Sequence, residues 1–283
     1  MNRGSFKRRL LRRTPILSRL ARSIDALEEE NRVLQARLAP VLLSKDGERP
    51  VEASAPVDED GLPLPPERLR YWVAGSEDHE WFLKAGQLGA DTLVSLLARH
   101  GIQIDELDSL LDFGCGCGRV IRHLRRLERV RLHGTDSNAS AVAWCDEHLD
   151  FAEFSTNRLE PPTRYRRHSF DCIYAYSVFT HLPEALQLAW MNELRRILKP
   201  GGHLVITLHG DHYLPFISES AKARYQKGEL VVLSEEAVGQ NQCAAFHPEA
   251  YVRTVLTRGF EILDFVPRGA LGNPEQDLYL LKC

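Results

Sequence analysis

Strand-like and helix-like segments alternate from about residue 67 to the end of the chain, and this alternation constrains the fold more than any other feature. Short apolar runs such as SLLDFG (109–114) and FDCIYAYSVF (170–179) have the composition of buried strands. Amphipathic segments such as PEALQLAWMNELRRILKPGG (183–202) separate them. The order predicts an α/β fold, a doubly wound and mostly parallel seven-stranded sheet with helices on both faces.

Three other regions differ from this pattern. We expect residues 1–39 to form a basic arm and a coiled-coil helix, and residues 40–66, with six prolines, to form a linker ahead of a domain at 67–283. Residues 210–245 follow the predicted strand HLVITLHG without continuing the alternation. Ligands of open α/β sheets bind beyond the carboxyl ends of the strands, so this insertion is expected to cover a substrate.

A heptad pattern in the N-terminal region predicts self-association. Its apolar residues and one asparagine are spaced alternately three and four apart, as in an a/d seam, with Asn31 at an a position: Leu17, Leu20, Ile24, Leu27, Asn31, Leu34 and Leu38. Residues 17–38 therefore predict a homodimer. The alternative is an amphipathic helix that lies on its own domain.

Charge is distributed unevenly between the arm and the rest of the chain. The first 24 residues contain eight basic residues and no acidic one, whereas residues 25–283 contain 28 basic and 39 acidic residues, a net charge of −11. A body this acidic makes nucleic acid an improbable partner. Only the arm could contact an anionic membrane surface or RNA, and a solvated tail or an organelle leader is an alternative.

Several features favour a cytoplasmic protein. No apolar run reaches the roughly 18 residues that a membrane span needs, and the start of the chain lacks the apolar region of a secretory signal. The six cysteines are scattered and form no CxxC pair, which suits a reducing compartment.

The stretch LLDFGCGCGRVIRHL (110–124) has glycines at alternate positions, Gly114, Gly116 and Gly118. No second Cys/His pair with zinc spacing lies nearby and CxxC redox spacing is absent, so a metal or redox site is disfavoured. The glycines follow a strand and precede a predicted helix, which is the context of a nucleotide-binding turn. The dinucleotide pattern GxGxxG is not met, because Arg119 or Ile121 stands where its third glycine belongs.

Asp136 ends the next predicted strand, 18 residues after Gly118. A carboxylate at this position can accept hydrogen bonds from both hydroxyls of a ribose. The alternative is that Asp136 only caps the following helix, a role that Ser137 or Asn138 could also fill.

Four motifs in order resemble the class I S-adenosylmethionine-dependent methyltransferases, which have a Rossmann-like fold. LLDFGCGCG resembles the first motif of that family and LHGTD (132–136) the second. FDCIYAYSVFTHL (170–182) resembles the motif on the fourth strand that faces the methyl group, and LKPGGHLVIT (198–207) the turn before the fifth strand. The resemblance spans about residues 70–283.

The resemblance implies S-adenosylmethionine as the cofactor and assigns residues to it. Its methionine part would lie on the glycines, with Asp112 supporting the loop, Asp136 on the ribose, and the adenine near Thr156, Asn157 and Arg158. Arg119 is the candidate partner of the cofactor carboxylate, unless it is a surface arginine. Ser177, in the fourth-strand motif, completes the cofactor residues: Asp112, Gly114, Gly116, Gly118, Arg119, Asp136, Asn157 and Ser177.

Catalytic candidates lie after the fourth and fifth predicted strands. His181 and Tyr176 are placed to act on an acceptor, with His181 as a general base if the nucleophile is an oxygen. His181 could instead be a packed histidine bonded to the backbone. The sequence HGDH (209–212) is a weak metal signal, and we predict no metal site.

The sequence is compatible with three functions. The favoured one is methyl transfer to a small-molecule or sugar-containing (glycan) acceptor, as in bacterial tailoring enzymes with an N-terminal coiled coil that the chain resembles. A second is methylation of RNA or protein docked by the basic arm, although the NPPY-type motif is absent because the fourth strand ends in YSVF. A third is a non-catalytic coiled-coil scaffold, which the intact glycines and Asp136 disfavour.

Overall fold

The computed structural model of the chain describes residues 56–239, 242–272 and 275–283. One compact unit contains them and begins at Pro56. The predicted basic arm and heptad helix lie outside the described residues. The homodimer through residues 17–38 therefore stays a prediction.

Residues 56–66, which the sequence assigns to the linker, pack against the domain. Leu64 is buried, and the fully buried side chain of Arg122 donates to the Asp58 carboxylate at 3.0 Å and to the Pro63 carbonyl at 2.9 Å. A buried guanidinium is strongly unfavourable without such acceptors, so this segment is part of the folded unit. The domain begins at Pro56 and not at residue 67.

The described residues contain nine strands and six α-helical segments. The strands are β1 (Ser109–Phe113), β2 (Arg131–Asp136), β3 (Glu153–Thr156), β4 (Phe170–Ala175), β5 (Leu198–Leu208), β6 (Val231–Leu233), β7 (Ala244–Phe246), β8 (Glu261–Ala270) and β9 (Gln276–Lys282). The helices are α1 (Glu67–Ala74), α2 (His79–Arg99), α3 (Ala139–His148), α4 (Glu184–Ile197), α5 (Glu219–Tyr225) and α6 (Glu249–Tyr251), which continues as a π-helical turn at Val252–Leu256. Among the described residues, no helix is both long and apolar enough to span a membrane.

The main sheet has seven strands in the order β3-β2-β1-β4-β5-β9-β8. The first five pair in parallel, and β9 runs antiparallel to both β5 and β8. This confirms the predicted doubly wound, mostly parallel sheet. Chain order reverses between β1 and β4, so the crevice at the carboxyl ends of these two strands is where a ligand binds in such a fold.

Two apolar cores cover the two faces of the sheet, as the alternation of strands and helices requires. On one face α2 and α3 pack on the strands, with Leu93, Leu97 and Trp144 among the buried side chains. On the other face α4 and the turn after α6 bury Trp190 and Leu256. Both layers hold the carboxyl ends of the parallel strands in fixed positions.

The segment after the glycine loop differs from the prediction. A helix was expected over GRVIRHLRRL (118–127), but only a short 3₁₀ helix forms, at Ile121–Leu124. Gly118 has a left-handed backbone, with φ of +77°, and so cannot enter a right-handed helical turn. The residues expected to face inward, Val120, Ile121 and Leu124, are nevertheless buried.

The insertion at 210–245 is itself folded. Its described part holds α5, β6 and the start of β7, and β6 pairs antiparallel with β7. Buried Ile217, Tyr225 and Val231 form a small core there together with Phe246. This insertion is therefore a compact extension of the domain and not a bare loop.

Candidate functional site

The glycine loop after β1 has a backbone that only glycine adopts readily. Gly114, Gly116 and Gly118 have φ values of +83°, +53° and +77°. A Cβ atom on Gly114 would overlap the side chain of Val178, and one on Gly116 would overlap Val73. The loop thus needs glycine for both its conformation and its packing, and its bare backbone can approach a ligand closely.

Asp136 closes this loop from the end of β2. Its Oδ2 accepts a hydrogen bond from the backbone N–H of Gly116, and its Oδ1 accepts one from that of Asn138, both at 2.8 Å. Burial raises the pKa of Asp136, and these backbone donors oppose the rise. The cap of α3 is Asn138, whose Oδ1 accepts from Ser140 and Ala141. Because Asn138 caps this helix, the alternative that Asp136 serves only as its cap is wrong.

Asp112 lies beneath the loop in β1. Its carboxylate is buried and accepts a hydrogen bond from the hydroxyl of Tyr174 at 2.7 Å. Burial raises the pKa of Asp112 to about 7, with a further rise from Asp136, while Tyr174 and Arg119 oppose it. Asp112 therefore titrates near neutral pH, unlike an ordinary aspartate.

Arg119 is not a surface residue. Its side chain is buried, its Nη1 donates to the carbonyl of Gly272 at 3.0 Å, and it lines the same cavity as the glycine loop. Burial lowers the pKa of Arg119, and the charge of Asp112 acts in the opposite direction. The site thus contains a buried cation beside the loop, placed to meet an anionic ligand group.

The loop after β3 forms another wall of the cavity. Asn157 accepts from the hydroxyl of Thr135 at 3.0 Å and donates to the carbonyl of Arg158. Leu159 and Trp190 add apolar surface there, and the indole of Trp190 donates to the Leu159 carbonyl. A flat apolar wall next to polar backbone suits a purine ring, in line with the predicted position of the adenine.

His181 follows β4 and is held by the insertion. Its Nδ1 lies 2.8 Å from the carbonyl oxygen of Cys243, and the backbone N–H of Gly239 donates to the carbonyl of His181. A carbonyl only accepts, so Nδ1 carries the proton and Nε2 keeps its lone pair. Burial lowers the pKa of His181, which favours the neutral ring.

Tyr176 occupies a different position from His181. Its ring lines the cavity, but its hydroxyl donates to the carbonyl of Gly89 in α2 at 3.3 Å. Burial raises the pKa of Tyr176. Its contacts are those of a packing residue, and a catalytic role for Tyr176 stays a prediction without support from them.

The cavity that joins these groups has a volume of about 960 Å³. It brings together the glycine loop, Asp112, Arg119, Asp136, Asn157, Tyr176, Ser177 and His181; of the predicted site residues, only Gly118 lies away from its wall. The His209 ring lies 6.4 Å from that of His181. Among the described residues, no group of three or more His, Cys, Asp or Glu side chains could hold a metal ion.

Sequence reasoning missed two parts of this cavity. Tyr71 and Trp72 of α1 line it while remaining 53% and 42% exposed, and the only signal in the sequence was that two aromatic residues stand side by side. Gln276 of β9 also lines it and is buried. No local pattern indicates Gln276, because its partner Ser177 lies 99 residues away in the chain.

The switch between β1 and β4, the glycine loop and the acid at the end of β2 define a nucleotide-binding α/β domain. Residues 111–204 match the family model described as a methyltransferase domain. These residues thus form part of an S-adenosylmethionine-dependent methyltransferase domain of the class I type, as the four sequence motifs predict.

Curated proteins to which the chain is similar are also named methyltransferases. A phosphoethanolamine N-methyltransferase of Caenorhabditis elegans is 25% identical over 156 residues, 52% of this chain and 35% of that protein. A sterol 24-C-methyltransferase of Saccharomyces cerevisiae is 23% identical over 192 residues, 61% of this chain and 46% of that protein. The chain thus spans less than half the length of these curated relatives.

The fold agrees with a solved structure of an S-adenosylmethionine dependent methyltransferase from Mesorhizobium loti. The TM-score is 0.53 at 17% identity, and the match covers 69% of this chain and 100% of the other. At this identity, the likeness shows the shared fold alone.

Proposed function

We propose that this protein transfers a methyl group from S-adenosylmethionine to a hydroxyl oxygen of a small-molecule or sugar-containing acceptor, with His181 as the general base. The observation that carries the proposal is the hydrogen bond from His181 Nδ1 to the Cys243 carbonyl. It leaves Nε2 of His181 with a free lone pair, and His181 lines the cavity that also contains the glycine loop.

The residues present fit the cofactor that the family uses. The glycine loop offers a bare backbone whose positions a Cβ would fill, which suits close contact with the methionine part. Asp136 would hold the ribose and Arg119 the carboxylate, while Asn157 and the wall beside it would hold the adenine. Bound there, the cofactor supplies an electrophilic methyl group on a sulfonium sulfur.

The chain's own task is alignment and removal of one proton. With the cofactor held by the glycine loop, Asp136 and Arg119, its methyl group would be available to the acceptor oxygen, and S-adenosylhomocysteine would be the leaving group. The hydroxyl proton passes to Nε2 of His181, and later to solvent. The products are a methyl ether and S-adenosylhomocysteine. Placing the oxygen in line with the methyl group supplies much of the rate gain.

The cavity favours a small acceptor. The insertion lines it with Gly239 and Gln242, and α1 lines it with Tyr71 and Trp72. The part of the cavity around Ser177 and His181, here called the transfer site, is thus partly covered. Cavities of this size hold ligands of drug size. The acidic body disfavours RNA as the acceptor.

The relatives do not narrow the acceptor further. The printed name of one states an N-methyltransferase acting on phosphoethanolamine, and that of the other a C-methyltransferase acting on a sterol. Neither name states transfer to an oxygen. Our choice of an oxygen nucleophile rests on the neutral histidine, because a hydroxyl needs a base more than an amine does.

Two measurements test the proposal in order. Calorimetry on the full chain should show S-adenosylmethionine binding in the micromolar range. A panel of sugars, sugar nucleotides, phenols, amines, RNA and peptides is then screened for release of S-adenosylhomocysteine. We expect turnover with a hydroxylated small molecule. Absence of cofactor binding, or turnover only with an amine, RNA or a peptide, would overturn the proposal.

A further inference from the structure

Ser177, at the carboxyl end of β4, has a strained backbone. Its φ is +59°, a left-handed conformation that is unfavourable for any residue other than glycine. Such strain persists only where surrounding contacts fix it. Three buried side chains do so at Ser177: Thr180 from the following turn, and Thr207 and Gln276 from other strands.

Gln276 is the centre of this network. The backbone N–H of Ser177 donates to Oγ1 of Thr207 at 2.8 Å, and that hydroxyl donates to Oε1 of Gln276 at 2.6 Å. Nε2 of Gln276 then donates to Oγ of Ser177 at 2.8 Å and lies 3.4 Å from Nε2 of His209. One side-chain amide thus joins the ends of β4, β5 and β9.

The direction of each hydrogen bond follows from this orientation of the amide. Because Nε2 of Gln276 only donates, Nε2 of His209 must accept and therefore carries no proton. The ring of His209 is neutral, since burial and the nearby His181 lower the pKa of His209 to about 4.

The Ser177 hydroxyl is also fixed by its neighbours. Thr180 donates its hydroxyl hydrogen to the carbonyl of Ser177 at 2.8 Å. In the 3.1 Å contact between the two hydroxyls, Ser177 is therefore the donor and Oγ1 of Thr180 the acceptor. Oγ of Ser177 also accepts from Gln276. One lone pair of this oxygen remains for a ligand in the cavity.

We propose that Gln276 is a positioning residue of the transfer site: it holds Ser177 in the strained conformation, and its amide, which donates to both Ser177 Oγ and His209 Nε2, leaves one lone pair of Ser177 Oγ for a ligand in the cavity. This inference rests on the proposed function and deepens it, and it places Ser177, which the resemblance assigns to the cofactor, at the methyl-acceptor end of the cavity. The transfer site then presents two lone pairs to the methyl acceptor, on Ser177 Oγ and His181 Nε2, because the single lone pair of His209 Nε2 is taken by Gln276. It is complementary to a substrate with neighbouring O–H donors, such as a vicinal diol of a sugar ring.

Histidine tautomers test the network without any substrate. The full chain, labelled with ¹⁵N-histidine and free of cofactor, is studied by long-range ¹H–¹⁵N correlation at pH 7.5, and a His209→Asn variant identifies the His209 signals. We expect a protonated Nδ1 and a bare Nε2 at His209. A protonated Nε2 in the unchanged protein would mean the opposite amide orientation and would overturn the inference.

Variants of Gln276 give the second test. In Gln276→Glu the carboxylate only accepts, so Nε2 of His209 should gain a proton and Oγ of Ser177 should become a donor. In Gln276→Leu the contacts with Thr207, Ser177 and His209 are all lost. We expect turnover on the acceptor found in the panel to fall at least about tenfold in both variants, with S-adenosylmethionine affinity changed less than about threefold.

A matched control tests whether an added negative charge elsewhere on the protein has the same effect as Gln276→Glu. Gln226→Glu makes the same change at an exposed position outside the cavity and should leave tautomers and turnover unchanged. An unaltered His209 tautomer in Gln276→Glu, or full turnover in Gln276→Leu, contradicts the inference. Failure of the proposed function is distinct, since it shows as no cofactor binding or as no small-molecule turnover in the unchanged protein.

Discussion

The imidazole of His181, after β4, and the backbone carbonyl of Cys243, near the end of the insertion, are joined by a 2.8 Å hydrogen bond. The bond connects residues 62 positions apart. It fixes both the ring orientation and the tautomer of the proposed base. The insertion thus fixes one side chain in the wall of the cavity.

The first prediction concerns His181 itself. His181→Ala should lower turnover by roughly 10²–10⁴, the range for a lost general base, with cofactor affinity nearly unchanged.

In the unchanged protein, turnover should stay level above neutrality and fall only below pH 6.5, because burial holds the pKa of His181 below that usual value. Initial rates across pH measure this, and His212→Ala, outside the cavity wall, is the control. Wild-type rates in His181→Ala would assign His181 a packing role.

Asp136 carries the second prediction. Asp136→Ala removes the ribose acceptor and the partner of the Gly116 amide, so S-adenosylmethionine should bind more weakly by about 1.5–3 kcal/mol, the usual worth of hydrogen bonds to a charged group. Calorimetry measures the change. Asp146→Ala, an exposed change in α3, should leave affinity as it is. Equal affinity for both variants would remove Asp136 from the binding site.

The third prediction compares two glycines in the left-handed region. Gly101 has φ of +73° with open space around it, whereas Gly114 at +83° faces Val178. Gly101→Ala should lower the free energy of unfolding only by the cost of the left-handed backbone, about 1 kcal/mol. Gly114→Ala adds overpacking of about 1–3 kcal/mol. Urea unfolding measures both, and equal losses would show that packing against Val178 is unimportant.

A fourth prediction uses the pKa of Asp112, about 7 in the folded protein against an ordinary 3.8. The folded state holds this proton more tightly than the unfolded state does, so the protonated carboxyl stabilises the fold at low pH. That stability is lost as pH rises from about 4 to about 7, by on the order of 4 kcal/mol at most.

Buried histidines also contribute to the pH dependence of folding, so the measurement is a difference. The free energy of unfolding of the unchanged protein minus that of Asp112→Asn should fall across this window and level off above it. A difference that does not vary with pH would mean that Asp112 has an ordinary pKa in the folded protein.

The fifth prediction concerns association through the heptad seam. The full chain should sediment as a dimer and a chain that begins at Pro56 as a monomer, because the shorter chain lacks residues 17–38. Starting at Pro56 keeps the ion pair between Asp58 and Arg122 and so keeps the domain intact. Replacing Leu20 and Leu27 by lysine in the full chain is the matched test. Equal particle masses for the two lengths would exclude the coiled coil.

The sequence by itself determined the class of fold and the cofactor end of the site. The order of buried and amphipathic segments is local information, and it predicted the sheet. The glycines at 114 and 116 and the acid at 136 also follow local rules, since the glycines lie in the loop after β1 and the acid ends β2, both at the ligand edge. Among the predicted helices, the one after Gly118 failed: the left-handed backbone of Gly118 does not belong to a right-handed helix, and only a short 3₁₀ helix follows it.

Only the tertiary structure decided the transfer end and the state of each polar group. Arg119 is buried because the turn at Gly272 lies over it, and Gln276 meets Ser177 because β5 pairs with β9. Such contacts join residues about 100 or more positions apart, and no periodicity encodes them. The pKa of Asp112 and the tautomer of His181 depend on burial and on single partners. Both arise only when the strand ends and the insertion pack together.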